Sequence, residues 1–93
     1  MDKNKLKIVR KKLDKLDYKI LLLIKKRTIL VNQVIHLKKL KKEIVDKSRI
    51  KDVLKKVRNH SIRKNIDTKI TKKIWMSMIH SYIDYEKRNF KKK

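Results

Sequence analysis

The chain is predicted to be all-α, built from one long, one short and one medium helix, and two observations carry that prediction. From Leu6 to Leu37 apolar residues recur every seven positions in two interleaved rows. Leu6, Leu13, Ile20 and Val34 fill one row, and Val9, Leu16, Leu23, Leu30 and Leu37 fill the other. Such a repeat lays an apolar seam along a single helix that buries against partner helices. The second observation is negative. No segment shows the period-two alternation of a half-buried strand, and no Asn-Gly or similar turn dipeptide occurs.

The first helix is expected over residues 3–42, roughly 60 Å at 1.5 Å per residue. The lysine pairs at 38–39 and 41–42 suit its C-terminus, although no Gly is present to stop it. Residues 43–45 are the expected connection. Asp46 is then placed to cap a second helix over 47–60, with Ile50, Val53, Leu54 and Val57 at helical spacing. A loop over 60–66 leads to Asp67 or Thr68, either of which caps a third helix reaching about residue 90. Its stripe is Ile70, Ile74, Trp75, Met78, Ile79, Tyr82 and Ile83. One domain over 3–90 and a frayed basic tail over 91–93 complete the expected organisation.

Ninety-three residues lie near the size at which one chain struggles to bury enough apolar surface, so oligomerisation is expected. The absence of Cys excludes disulfides and thiolate metal sites. His36, His60 and His80 have no metal-ligand spacing, and no Gly-rich phosphate loop is present. No metal or cofactor is therefore expected. The longest aliphatic run, residues 20–24, is far too short to span a bilayer, and no apolar leader follows the first basic residues. These features predict a cytoplasmic protein with no membrane partner.

The net charge of +22, from 31 Lys plus Arg against 9 acids, points at face value to nucleic acid or an anionic membrane surface. A compositional skew weakens that inference. Gly, Pro and Ala, whose codons are G/C-rich, are absent, while Lys, Ile and Asn, with A/T-rich codons, are abundant. Coding bias can generate the lysine excess. Where Lys comes so freely, the six arginines at 10, 27, 49, 58, 63 and 88 are more informative than the total.

Arg27 occupies the one seam position that is not apolar. A guanidinium stays charged, so burying it without a negative partner is expensive. Either it pairs with a carboxylate of this protein or it awaits an anion that arrives as ligand. Lys38 lies eleven residues on, within about 20° of the same face and roughly 16 Å away. The two could clamp a small dianion, or Lys38 could be one more solvated lysine at a helix end. Arg10 is about 25 Å from Arg27 along the axis and reaches the same small ligand only from another subunit. Its plainer role is a surface charge or an ion pair with Asp14 or Asp17.

Asp46 and Arg49 read either as a cap with a neighbouring surface charge or as a hydroxyl acceptor beside a pocket-facing guanidinium. Glu86 continues the line Trp75, Ile79, Tyr82 at steps of three and four. A carboxylate there must pair with a cation or become harder to ionise through desolvation. An ion pair with Arg27 or Lys38 that merely holds the bundle together is one of its readings.

The string Leu6-x-x-Val9-Arg10-x-x-Leu13-Asp14-x-Leu16-Asp17-x-x-Ile20 resembles the opening of the all-helical chorismate mutases. The likeness continues through Ile24-x-x-Arg27, Val34-x-x-x-Lys38, Asp46-x-x-Arg49 and Ile74-Trp75-x-x-Met78-Ile79, covering nearly the whole chain. It implies an intertwined helical homodimer with two equivalent sites, chorismate as substrate, prephenate as product and a place in aromatic amino-acid biosynthesis. It also implies that Arg27 and an Arg10 from the partner subunit hold the two carboxylates, with Arg49 adding positive potential. Lys38 would donate to the ether oxygen, and Asp46 would mark where the ring hydroxyl is received.

Three positions depart from the family pattern. Ile50 stands where many relatives carry a Glu, Tyr82 where some have a small hydroxyl residue, and Glu86 where a Gln usually bonds the ether oxygen. The related isochorismate–pyruvate lyases share the fold and cationic clamp, and the segment Ile79-His80-x-Tyr82-Ile83 is similar to theirs. Asp46 argues the other way, because the lyases tend to lack an acid there. A basic helical module binding nucleic acid through its lysines is the reading from another class, and the site pattern weighs against it.

Overall fold

In the computed structural model, which describes residues 2–91, the chain folds as α1 (Lys3–Leu37), a 3₁₀ turn (Lys41–Ile44), α2 (Lys47–Arg63) and α3 (Thr68–Asn89). No strand occurs among the described residues. Of the expected basic tail, Lys92 and Lys93 lie outside the described residues. The chain divides into two units, with the boundary between Asn32 and Gln33.

The first unit is a single helical rod. Asp2 opens it by accepting bonds from the backbone N–H of Asn4 (3.0 Å) and Lys5 (3.1 Å), which satisfies two of the donors that every helix start leaves over. The seven-residue rows run along this rod uncovered. Val9, Leu13, Leu16, Ile20, Leu23 and Leu30 are between 51% and 62% exposed.

The second unit contains the last turn of α1, the 3₁₀ turn, α2 and α3. Here α3 packs against both α2 and the 3₁₀ turn. Its buried apolar residues are Ile35, Ile44 and Ile79. A buried hydroxyl pair, Ser61 on α2 and Thr71 on α3, ties the two helices at 2.8 Å. Ser61 has one proton and gives it to the Val57 carbonyl at 2.7 Å, so Thr71 is the donor between the two hydroxyls.

Two helix ends fall away from their expected positions. α1 stops at Leu37 rather than at 42. The Lys38 N–H is shared between the Val34 and Ile35 carbonyls (3.1 and 3.2 Å), and the chain then extends. Leu40 and Glu43 next lock reciprocally: the Leu40 N–H donates to the Glu43 carboxylate at 2.9 Å, and the Glu43 N–H donates to the Leu40 carbonyl at 3.0 Å. Burial of Ile44 fixes the turn so formed.

At its far end α2 runs to Arg63 rather than 60 and closes with Asn65 at φ 56°. The Ile66 N–H reaches the Ser61 carbonyl (2.8 Å) and the Asn65 N–H the Ile62 carbonyl (3.2 Å). That pair of bonds is the Schellman closure, which normally uses Gly at the left-handed position. In a chain without Gly, Asn is the best substitute, because its short polar side chain tolerates that region. Asn65→Gly is therefore expected to raise stability by roughly 0.5–1 kcal/mol, part of the ~1–2 kcal/mol an L-residue loses there. Urea denaturation measures it, and an unchanged or lowered midpoint refutes this account of the turn.

Candidate active site

The second unit holds a cation and an acid in a place where neither is fully hydrated. Lys38 emerges as α1 ends, and its ammonium lies 3.2 Å from Glu86 Oε1. The same Nζ donates to the Ile44 carbonyl at 3.4 Å. The two side chains retain 18% and 11% of their exposure. An ammonium has three donors, so two are engaged here and one is left to offer to a ligand.

The position of each partner follows from the local fold. The early stop of α1 frees Lys38 from helical geometry, and the Leu40–Glu43 lock turns the Ile44 carbonyl back toward the ammonium. Glu86 is held by α3, on the face that also carries Trp75, Ile79 and Tyr82. Ile79 is buried, and Trp75 and Tyr82 are half-buried. Tyr82 sits one turn before Glu86 and meets the Tyr85 ring edge-on at 6.3 Å between centroids.

The other expected site residues in this unit are occupied locally. Asp46 is the N-cap of α2 and accepts from the Arg49 backbone N–H at 2.9 Å. The exposed Arg49 guanidinium lies 3.1 Å from Asp52, whose same oxygen also meets Lys56 at 3.1 Å. The Lys56 hydrogen bond, reinforced by the Lys56 and Arg49 charges against some desolvation, holds the Asp52 carboxyl below its ordinary value. Asp52 therefore favours the fold at neutral pH, and that contribution fades as acidification protonates it. Steps of three residues from Arg49 to Asp52 and four from Asp52 to Lys56 put the three charges on one face of α2, where Asp52 engages Arg49.

In the first unit Arg10 is exposed and Arg27 half-buried. Among the described residues Arg10 forms no ion pair with Asp14 or Asp17. The structure thus joins Lys38 to Glu86, sets Tyr82 one turn before Glu86 on α3, and leaves Asp46 and Arg49 engaged along α2. The Ile44 carbonyl was not foreseen as a partner of Lys38. Glu43, the residue that turns it, was the available signal.

The described fold is all-helical and holds a lysine–carboxylate pair between the end of α1 and α3. The chain belongs to the chorismate mutase type II family, which matches residues 9–87. No curated protein and no solved structure matches the chain. No helix among the described residues is long and apolar enough to cross a membrane.

Proposed function

We propose that this chain rearranges chorismate to prephenate as an intertwined homodimer, each site completed by Arg10 of the other copy. Membership of the family supports the reaction. The observation that carries the site assignment is the Lys38 ammonium, held by Glu86 and the Ile44 carbonyl with a donor to spare. The uncovered rows of α1 support the dimer, since nothing in the first unit buries them. Covering each half-exposed seam residue contributes roughly 1 kcal/mol, about half the value for full burial.

The rearrangement is intramolecular and needs no nucleophile, metal or external base. The protein accelerates it by holding the dianion in its compact reactive conformer, with Arg27 and the crossing Arg10 on its carboxylates. Lys38 then places positive charge where the ether oxygen becomes negative. Asp46 receives the ring hydroxyl with the carboxylate oxygen not used in capping, and Arg49 adds positive potential once it leaves Asp52. The assay that tests the reaction supplies chorismate and isochorismate to the purified protein. Prephenate from chorismate is expected; pyruvate from isochorismate as the main product overturns the assignment in favour of the lyase.

Glu86 has a separate test. Protonated, it donates to the ether oxygen beside Lys38; ionised, it accepts the Lys38 ammonium and opposes the charge growing on that oxygen. Glu86→Gln supplies a hydrogen-bond donor at this position without the negative charge and is expected to keep or raise kcat/KM. A fall of about tenfold or more in a variant that stays folded removes the donor role from this position.

A further inference from the structure

We propose that the cleft between α2 and α3 is a second ligand site, taking a small phosphate ester with an apolar ring or chain. The cleft encloses about 520 Å³, within the span of roughly 300–1,000 Å³ usual for small-molecule sites. Its floor is apolar, formed by the half-buried Leu54 and Val57. Its rim carries Lys55 and Arg58 from α2 and Lys69 and Lys72 from α3, all exposed.

Lys38 is met by Glu86, Arg49 and Lys56 by Asp52, and Arg88 by Asp84, so the carboxylates nearest these cations are engaged away from the rim. Among the described residues no carboxylate lies within ion-pair reach of Lys55, Arg58, Lys69 or Lys72. Cations lining one cavity attract an anion that binds between them. Arg58 supplies the forked donor set that suits phosphate oxygens. The apolar floor asks for more than charge. A bare ion leaves Leu54 and Val57 wet, whereas a ring or chain covers them.

This site is separate from the catalytic one. Glu86 lies fourteen residues beyond Lys72 on α3, about 21 Å along the axis. The inference stands whether or not the chain is a mutase, because its test does not read turnover. The same volume and floor favour a small molecule over a nucleic-acid strand, which needs only an open track of charge.

The test follows backbone amide shifts of the ¹⁵N-labelled full chain during titration with phenyl phosphate, inorganic phosphate or benzyl alcohol. Phenyl phosphate is expected to give saturable shifts confined to residues 54–58 and 68–72 and to bind more tightly than either fragment. Lys55→Ala with Lys72→Ala is expected to weaken it at least about tenfold, while the charge-matched pair Lys3→Ala with Lys91→Ala changes it less than about twofold. Four results each overturn the proposal: shifts centred on Lys38 and Glu86, equal affinity for inorganic phosphate, equal loss in the control pair, or no saturable shift at residues 54–58 and 68–72.

Discussion

Lys38→Met is expected to lower kcat by two to three decades, the loss that follows removal of one donor aimed at developing negative charge, about 3–4 kcal/mol. Methionine keeps the length of the stem and removes the ammonium. The substitution also strands Glu86, which is 8% exposed and would lose its cation, so a fall in activity alone could report damage to the fold. The double variant Lys38→Met with Glu86→Gln separates the two effects. It leaves a neutral pair of nearly unchanged shape, and neutral replacement of an ion pair is commonly close to neutral for stability. If Lys38 supplies catalysis, the double variant regains its denaturation midpoint but not its turnover. Recovery of turnover along with stability would mean that the pair only holds the end of α1 against α3, and Lys38 would leave the mechanism.

Much of the fold was legible because it depends on local chemistry. Asp46 and Asp67 cap α2 and α3, as side chains of that type at those positions must to satisfy the first N–H groups. The ends were less legible where stop signals were absent. In a chain without Gly, α1 carried no mark of its end at Leu37, and four lysines beyond it read as a helical last turn. What ends α1 is tertiary: Ile44 is buried, and Glu43 accepts from Leu40 to let that happen. Asn65 did the opposite for α2. Its left-handed conformation closes the helix three residues later than the loop signals suggest, because Asn here takes the place that Gly normally holds.

The same reasoning applies to the site. The stripe Trp75, Ile79, Tyr82, Glu86 puts a carboxylate on an apolar face, where it either pairs with a cation (Arg27 or Lys38) or becomes harder to ionise, and the structure shows the pairing with Lys38. The Lys38–Glu86 contact is therefore a consequence of periodicity plus the cost of burying a charge. Periodicity could not indicate that Lys38 would lie outside the helix, since that depends on the Leu40–Glu43 lock. Nor could it foresee that Asp52 would engage Arg49, a competition set by which rotamer the surface charges adopt. Arg10 is the residue about which single-chain geometry has least to offer. Its distance from Arg27 along α1 makes any shared ligand a question about two copies.

Two inactive variants mixed together answer that question. Arg10→Ala is expected to abolish turnover by removing a carboxylate partner from every site, and Lys38→Met by removing the donor to the ether oxygen. In a two-fold dimer whose sites each combine Arg27 and Lys38 of one copy with Arg10 of the other, a mixed dimer holds both lesions in one site. Its second site is intact. Random reassortment makes half the dimers mixed, each with one working site of two, so an equimolar mixture refolded from denaturant is expected to recover about a quarter of the parent activity. The uncovered rows at Leu16, Leu23 and Leu30 make such reassortment feasible, because their burial is what assembly supplies and denaturant removes. Either variant refolded alone must stay inactive, which excludes contamination and partial function. Recovery near zero, with sedimentation showing mixed dimers present, would mean that Arg10 serves its own chain or no site at all. Recovery near a quarter can arise only if the guanidinium crosses.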